Sequence, residues 1–427
     1  MKSGRVGSRI RFQLSSVMLV WLWTIFGGLW TVEVDAQQSL QAKYPFLQTD
    51  KNKIDFYGDS TKFNQFFERL DRVLLAGDGQ VNVLHMGGSH VQGGVLTHTM
   101  RQQLQSLAPG LKGQRGLVFP YTLAKTNNPY NYVVRKTGDW EEGERVSVSH
   151  HDSQWGISGI TAKTTDARAT TTIYARHAED AFAYERVRVF YYMSPGSFQP
   201  IVNGKGIITT VYDSTRQFME VSFDSPQDTL QLSFMKMNEG QTGFILQGLQ
   251  FLSGGPAIVY NPIGVNGAKV RDYFRSQALP EQLKLISPDL VIFGIGINDA
   301  NVPSGSFDQA KYEEYYDKLV TLVKEINPQV SILFLVNNDS HYDRHYANPN
   351  VYKVRDAMIK LAKLHNGAVW DFFEIMGGFD SIRTWEAYDL ARADRIHFSR
   401  EGYELQGQLL FYALRNAYGD YLSARFK

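Results

Sequence analysis

Four short stretches of this chain hold residue types that could together carry out acyl transfer. Gly87-Gly88-Ser89-His90 puts a serine in a glycine-rich turn between a strand-like run and a helix-like one. Glycines permit a tight turn, and a serine at a helix start has its backbone N–H free to face an oxyanion. A plain helix cap has the same composition. Gly264-Val265-Asn266-Gly267-Ala268 follows the apolar run PAIVYNPI, where a glycine lets the backbone approach a ligand and offers an unobstructed N–H. A simple turn would read the same way. Gly294-Ile295-Gly296-Ile297-Asn298-Asp299 ends the most strand-like run of the chain. The Asn298 amide suits a tetrahedral oxyanion, and removing such a donor typically costs about 2.7 to 4 kcal/mol of transition-state stabilisation. Its alternative is an Asx-turn that terminates the strand. Asp394-Arg395-Ile396-His397 precedes a helix expected from about residue 401. A carboxylate three residues before a histidine can fold back to hold one ring nitrogen, fixing the tautomer while the other nitrogen faces a nucleophile. Asp-x-x-His alone is common by chance.

The elements around these stretches say where they sit. Val81–Met86, residues 290–296, 331–336 and 368–372 are short apolar runs that read as buried strands. Between them FNQFFERLDRVLLAG, VLTHTMRQQLQSL, FDQAKYEEYYDKLVTLVKEI, VYKVRDAMIKLAKLH and EGYELQGQLLFYALRNAY have helical spacing. Strands alternating with amphipathic helices predict an α/β core, a parallel sheet covered on both faces. Open parallel sheets place ligands at the ends of their strands, where the short motifs fall. Residues 37–62 read as polar and irregular, with little structure of their own. From about 131 to 255 the texture changes to period-2 runs, RVRVFYYM, MEVSFD, TLQLSFM and FILQGLQFL, punctuated by NGKG, DSPQD and NEGQ. That pattern predicts an inserted all-β sandwich or jelly roll.

In this order the four stretches resemble the blocks that define the SGNH (GDSL-like) hydrolases, over roughly residues 75–130 and 256–420. The resemblance implies a flavodoxin-like three-layer α/β fold interrupted by the β-rich insertion. It implies Ser89 as nucleophile, Asp394 and His397 as the rest of a triad, and an oxyanion hole formed by Ser89 N–H, Gly267 N–H and the Asn298 side chain. No metal or cofactor is required by such a mechanism. The family usually has Asp before the serine, where this chain has Gly88; that Asp lies outside the triad, so the departure bears on the geometry of the turn. The stretches WDFFEIMGG and TWEAYDLARADRIHFSREGYELQG, with the insertion, look closest to exported bacterial esterases acting on acetylated cell-wall glycans or other polysaccharides.

Composition bounds the remaining possibilities. A chain of 427 residues with 43% hydrophobic, 20% charged and 13% aromatic residues can build a large core. Lys plus Arg (44) nearly balances Asp plus Glu (43), so no electrostatic footprint for nucleic acid is present. The chain has no cysteine, which excludes disulfides, thiolate metal sites and a cysteine nucleophile. Lys2, Arg5, Arg9 and Arg11 precede an uncharged run from Val17 to Trp30, and Val34-Asp35-Ala36 follows. This is the layout of a secretory signal peptide over 1–36, cut after Ala36, and predicts an exported protein, periplasmic or extracellular, with no stable membrane span after cleavage. The domain reading is then 1–36 signal, 37–130 and 256–427 hydrolase domain, and 131–255 insertion, with a sugar-binding role as one reading of the last.

Other conspicuous residues have plain readings. His85 alternates into a buried strand, and His90 flanks the serine. His150-His151 beside Asp152 read as surface histidines rather than a metal site. DWEEGE (139–144) reads as a solvated turn, and Tyr191, Tyr192 and Trp155 read as core aromatics. Asn337-Asn338-Asp339 ends a strand and could line a pocket or simply turn the chain. Three functions compete: hydrolysis of an acylated glycan or other ester, O-acetyl transfer through the same acyl-enzyme, and glycan binding without catalysis.

Overall fold

Residues 39–148, 153–178 and 182–425 are described by the computed structural model of the chain. The expected signal segment and His150-His151-Asp152 lie outside the described residues. From Asp50 onward the chain is one compact unit, separate from the described residues before it.

A seven-stranded sheet organises this unit, in the order Ile54–Phe56, Ala368–Trp370, Ser331–Leu335, Leu290–Gly294, Gln80–Gly87, Ala257–Gly264 and Lys112–Gln114. All neighbours are parallel except the first pair. Every residue of Ser331–Leu335, and Leu290 to Phe293, is buried. Parallel strands covered on both faces need continuous apolar runs, which is why these segments do not alternate. One helical layer joins Asn64–Leu74 and Val95–Gln105 to the C-terminal helix Arg400–Arg425, and the other joins Leu279–Ile286, Gln309–Ile326 and Asn350–His365. Fully buried Leu84, Phe293, Phe334, Leu319 and Val354 belong to the sheet and its helices. Each such side chain contributes about 1.5–3 kcal/mol when removed from water. Among the described residues no helix is long and apolar enough to cross a membrane.

The β-rich stretch forms two antiparallel sheets. One runs Ile207–Asp213, Phe218–Gln227, Tyr184–Tyr191, Phe244–Leu252, Gly116–Val118, and the other Tyr132–Thr137, Thr170–Ala175, Thr229–Met235, Gln199–Asn203. Val187, Val189, Leu246 and Leu249 from the first pack with Ile173, Val202, Leu230 and Leu232 from the second, a sandwich core. Trp155 and Phe190 pack instead in the cluster that contains Leu84 and Leu283. There Gln282 Oε1 accepts from Ile157 N–H at 2.6 Å and its Nε2 donates to Gln247 Oε1 at 2.8 Å. A buried amide with both ends engaged fixes the register between helix Leu279–Ile286 and the sandwich.

Several expectations need correction. Residues 37–62 are not irregular throughout: Ile54–Phe56 is an edge strand antiparallel to Ala368–Trp370. Three residues are too few to show a period, and the pairing is made by a partner more than 300 positions away. The run at 368–372 stops as a strand at Trp370, because the Asp371 side chain accepts from Glu374 N–H and starts a short helix, Phe372–Ile375. Within DWEEGE, Trp140 is only 5% exposed and lies in the sandwich core, its Nε1 donating to Thr137 O at 3.1 Å, while Glu141 pairs with Lys163.

Candidate active site

Gly87, Gly264 and Gly294 stand side by side in register at the ends of three adjacent strands. Each strand therefore releases its chain at the same height, and the segments carrying Ser89, Gly267 and Asn298 leave from one edge of the sheet. Ser89 opens a one-turn helix, Ser89–Gln92, after Gly88. A Cβ on Gly88 would lie 3.0 Å from Asn298 Nδ2, so the amide rests directly on the glycine. The residue that departs from the family pattern is thus the one against which Asn298 packs.

Ser89 Oγ lies 2.8 Å from His397 Nε2, and His397 Nδ1 lies 2.9 Å from Asp394 Oδ2. The other Asp394 oxygen accepts from the backbone N–H of Ile396 and of His397, both at 2.9 Å. One carboxylate thereby folds the loop and orients the ring. Burial pushes the Asp394 carboxyl up, but the backbone and ring N–H of His397 and the N–H of Ile396 outweigh it and hold it below its ordinary value. A carboxylate ionised beside Nδ1 leaves Nε2 as the nitrogen able to accept a proton from Ser89.

On the opposite side Asn298 Nδ2 donates one hydrogen to Ala268 O at 3.0 Å, which leaves its second for a ligand. Gly267 is exposed with φ +78°, a conformation that favours glycine. Two neighbours fix its loop. Gln92, on the turn that follows Ser89, accepts Asn266 N–H at 2.7 Å through Oε1, and Ser147 Oγ from the β-rich stretch donates to Asn266 O at 2.7 Å. Asp299 accepts Val270 N–H, and burial pushes its carboxyl up to about 7. Among the described residues the N–H groups of Ser89 and Gly267 have no acceptor. Free N–H groups of this kind suit a developing negative charge on oxygen.

The sequence pattern of the GDSL-like lipase/acylhydrolase family matches residues 237–405. The chain carries a GDSL-like lipase/acylhydrolase domain. Its SGNH fold is similar to that of a peptidoglycan O-acetylesterase over 86% of this chain and 99% of the other, with TM-score 0.70 and 21% identity. Shorter likenesses are to a lipase/acylhydrolase of Enterococcus faecalis, with 22% identity over 38% of this chain and 77% of the other at TM-score 0.30. The acetylxylan esterase Axe2 of Geobacillus stearothermophilus likewise has 21% identity over 37% and 73%, also at TM-score 0.30. A search of curated protein sequences gives no match.

The residues around the site divide into those facing it and those holding it. The His90 ring stacks on His397 with centroids 5.1 Å apart and an interplanar angle of 24°, and its Nδ1 lies 3.0 Å from Tyr403 OH. Burial, and then the neighbouring His397, push His90 down to about 3, so it stays neutral beside the base. Sequence reading left His90 as a mere neighbour of Ser89; its stack depends on Tyr403 in the last helix, which no local pattern reveals. His85 is buried below the site, with Nδ1 2.8 Å from Tyr260 OH. Asn338 Nδ2 donates to Ile396 O at 3.1 Å, and Asp339, fully buried, accepts Ile382 N–H through Oδ2 at 3.1 Å. Asn338 thereby supports the loop of His397. Asn337 is buried behind Gly296. Tyr191 and Trp155 are buried, and Tyr192 is partly buried. Among the described residues no group of three or more His, Asp or Glu side chains could hold a metal ion.

Proposed function

We propose that the chain is an exported serine esterase that removes O-acetyl groups from cell-wall or other polysaccharides through an acyl-enzyme on Ser89. The observation that carries this reading is the continuous hydrogen-bond line from Asp394 through His397 to Ser89. As Ser89 Oγ attacks the acetyl carbon, His397 Nε2 takes its proton, and Asp394 stabilises the imidazolium. The oxyanion is held by Ser89 N–H, Gly267 N–H and the second hydrogen of Asn298 Nδ2. Collapse breaks the bond to the sugar oxygen, which leaves with the proton from His397. Water, deprotonated by His397, then attacks acetyl-Ser89 and releases acetate. The polysaccharide part of the reading is supported by the fold shared with a peptidoglycan O-acetylesterase over nearly all of that chain. Export is supported by the basic and apolar N-terminal sequence.

Acetate release from O-acetylated peptidoglycan and from acetylated xylan, measured for wild type and Ser89→Ala, tests the reading. The substitution is expected to lower the rate by about a thousandfold or more. Equal rates for the two proteins would overturn it.

A further inference from the structure

Beyond strand Ser331–Leu335 the chain forms a two-stranded hairpin, His341–Tyr342 against Tyr346–Ala347, before helix Asn350–His365. Asp343 (φ +47°) and Arg344 (φ +61°) make its turn in a left-handed conformation, which suits the twist of so short a hairpin. Each leg is bonded to a different side of the active site. His341 N–H donates to Arg395 O at 2.9 Å, one residue after Asp394. On the other leg Asn348 Nδ2 donates to Ala300 O at 2.7 Å, and Tyr346 OH accepts Ser304 N–H at 3.1 Å. Ala300 closes the short helix Ile297–Ala300 that contains Asn298. The hairpin therefore stands at the rim, strapped both to the loop of the base and to the segment of the oxyanion donor.

Its tip is not built as core. Asp343, Arg344, His345 and Tyr346 are exposed and Tyr342 is partly so, with the two tyrosine rings 5.6 Å apart at 46°. Aromatic faces on a solvated rim, with a cation and a carboxylate between them, match the C–H face and hydroxyls of a pyranose ring. We propose that the Tyr342–Tyr346 hairpin is a sugar-binding subsite that holds the glycan chain next to the acetylated residue. This assignment rests on the polysaccharide esterase reading and names the surface that selects polymer over small ester.

The test compares O-acetylated peptidoglycan with 4-nitrophenyl acetate, which carries no sugar for the hairpin to hold. For Tyr342→Ala and Tyr346→Ala the expected result is a KM for the glycan raised by about tenfold, with kcat/KM for the small ester kept. Retained hydrolysis of the small ester also shows that the variants fold. Tyr346→Phe keeps the ring and loses the bond to Ser304, so it is expected to behave as wild type. An equal loss on both substrates, or Tyr346→Phe matching Tyr346→Ala, would make the hairpin a brace for the His397 loop and overturn the subsite. An unchanged glycan KM in both alanine variants overturns the subsite alone. A wild type that cleaves 4-nitrophenyl acetate and no acetylated glycan overturns the polysaccharide reading from which the subsite follows.

Discussion

Ser89 and His397 meet across 308 positions of sequence, and a third residue decides how well the base keeps its place. Asp394 fixes one edge of the imidazole, while His90 covers one face, itself held by Tyr403. An imidazole supported on edge and face has little freedom to leave Ser89. Removing the face, in His90→Ala, is expected to lower kcat by about tenfold to a hundredfold with KM nearly unchanged, since small displacements of a reacting group carry that penalty. His90→Phe restores a ring against His397 and is expected to recover most of the loss. Steady-state kinetics on 4-nitrophenyl acetate decides the matter. A His90→Ala protein with wild-type kcat would show that the stack is packing alone.

At the scale of elements, the site depends on turns held in conformations that their own residues do not all prefer. Gly267 is the clearest case, because a Cβ there would meet nothing nearer than Ser147 at 3.7 Å, an ordinary contact. Space is available, but the backbone at φ +78° disfavours any side chain. Gly267→Ala is therefore expected to destabilise the fold by about 1 to 2 kcal/mol through strain. Relief of that strain would rotate the 266–267 peptide, whose carbonyl is held by Ser147, and turn its N–H away from the oxyanion. A fall in kcat larger than the stability loss, read from parallel denaturant titrations and kinetics, is the expected outcome; undiminished kcat would mean that this N–H is not used. The strand-to-helix alternation that positions these turns was readable from apolar periodicity. The edge strand Ile54–Phe56 was not, because it exists only through pairing with Ala368–Trp370.

For the whole molecule, buried ionisable groups set the response to acid. His85 is fully buried in an inner strand of the sheet, and burial pushes it from 6.5 down to about 3. In the unfolded chain it titrates near 6.5, so between about pH 6.5 and 3 the unfolded state binds the extra proton. Its contribution is whole above 6.5 and is lost progressively as pH falls towards 3, at up to about 1.4 kcal/mol per pH unit. Asp299 and Asp339, pushed up to about 7 and about 6 by burial, act with the opposite sign and are common to any His85 variant. Denaturant unfolding of wild type and His85→Gln at several pH values from 6.5 to 4.5 isolates the difference. The variant, although less stable at neutral pH, is expected to show the shallower decline on acidification; parallel slopes would mean that His85 protonates equally in both states.

By itself the sequence determined the α/β class and the strand-to-helix junctions, because glycine turns and apolar periods are local properties of the chain, and its resemblance to the family blocks offered Ser89, Gly267, Asn298, Asp394 and His397 as candidates. Asp394 and His397 are also a local unit, since a carboxylate three residues before the ring can bond the intervening N–H groups. Tertiary structure alone decided which of these residues meet. The register of Gly87 with Gly264 and Gly294 levels three strand ends that lie far apart in sequence. The same distance hid the stacked His90, the place of Asn298 on Gly88 and the hairpin at the rim. Each is a contact between segments whose separation along the chain exceeds the reach of any periodic pattern.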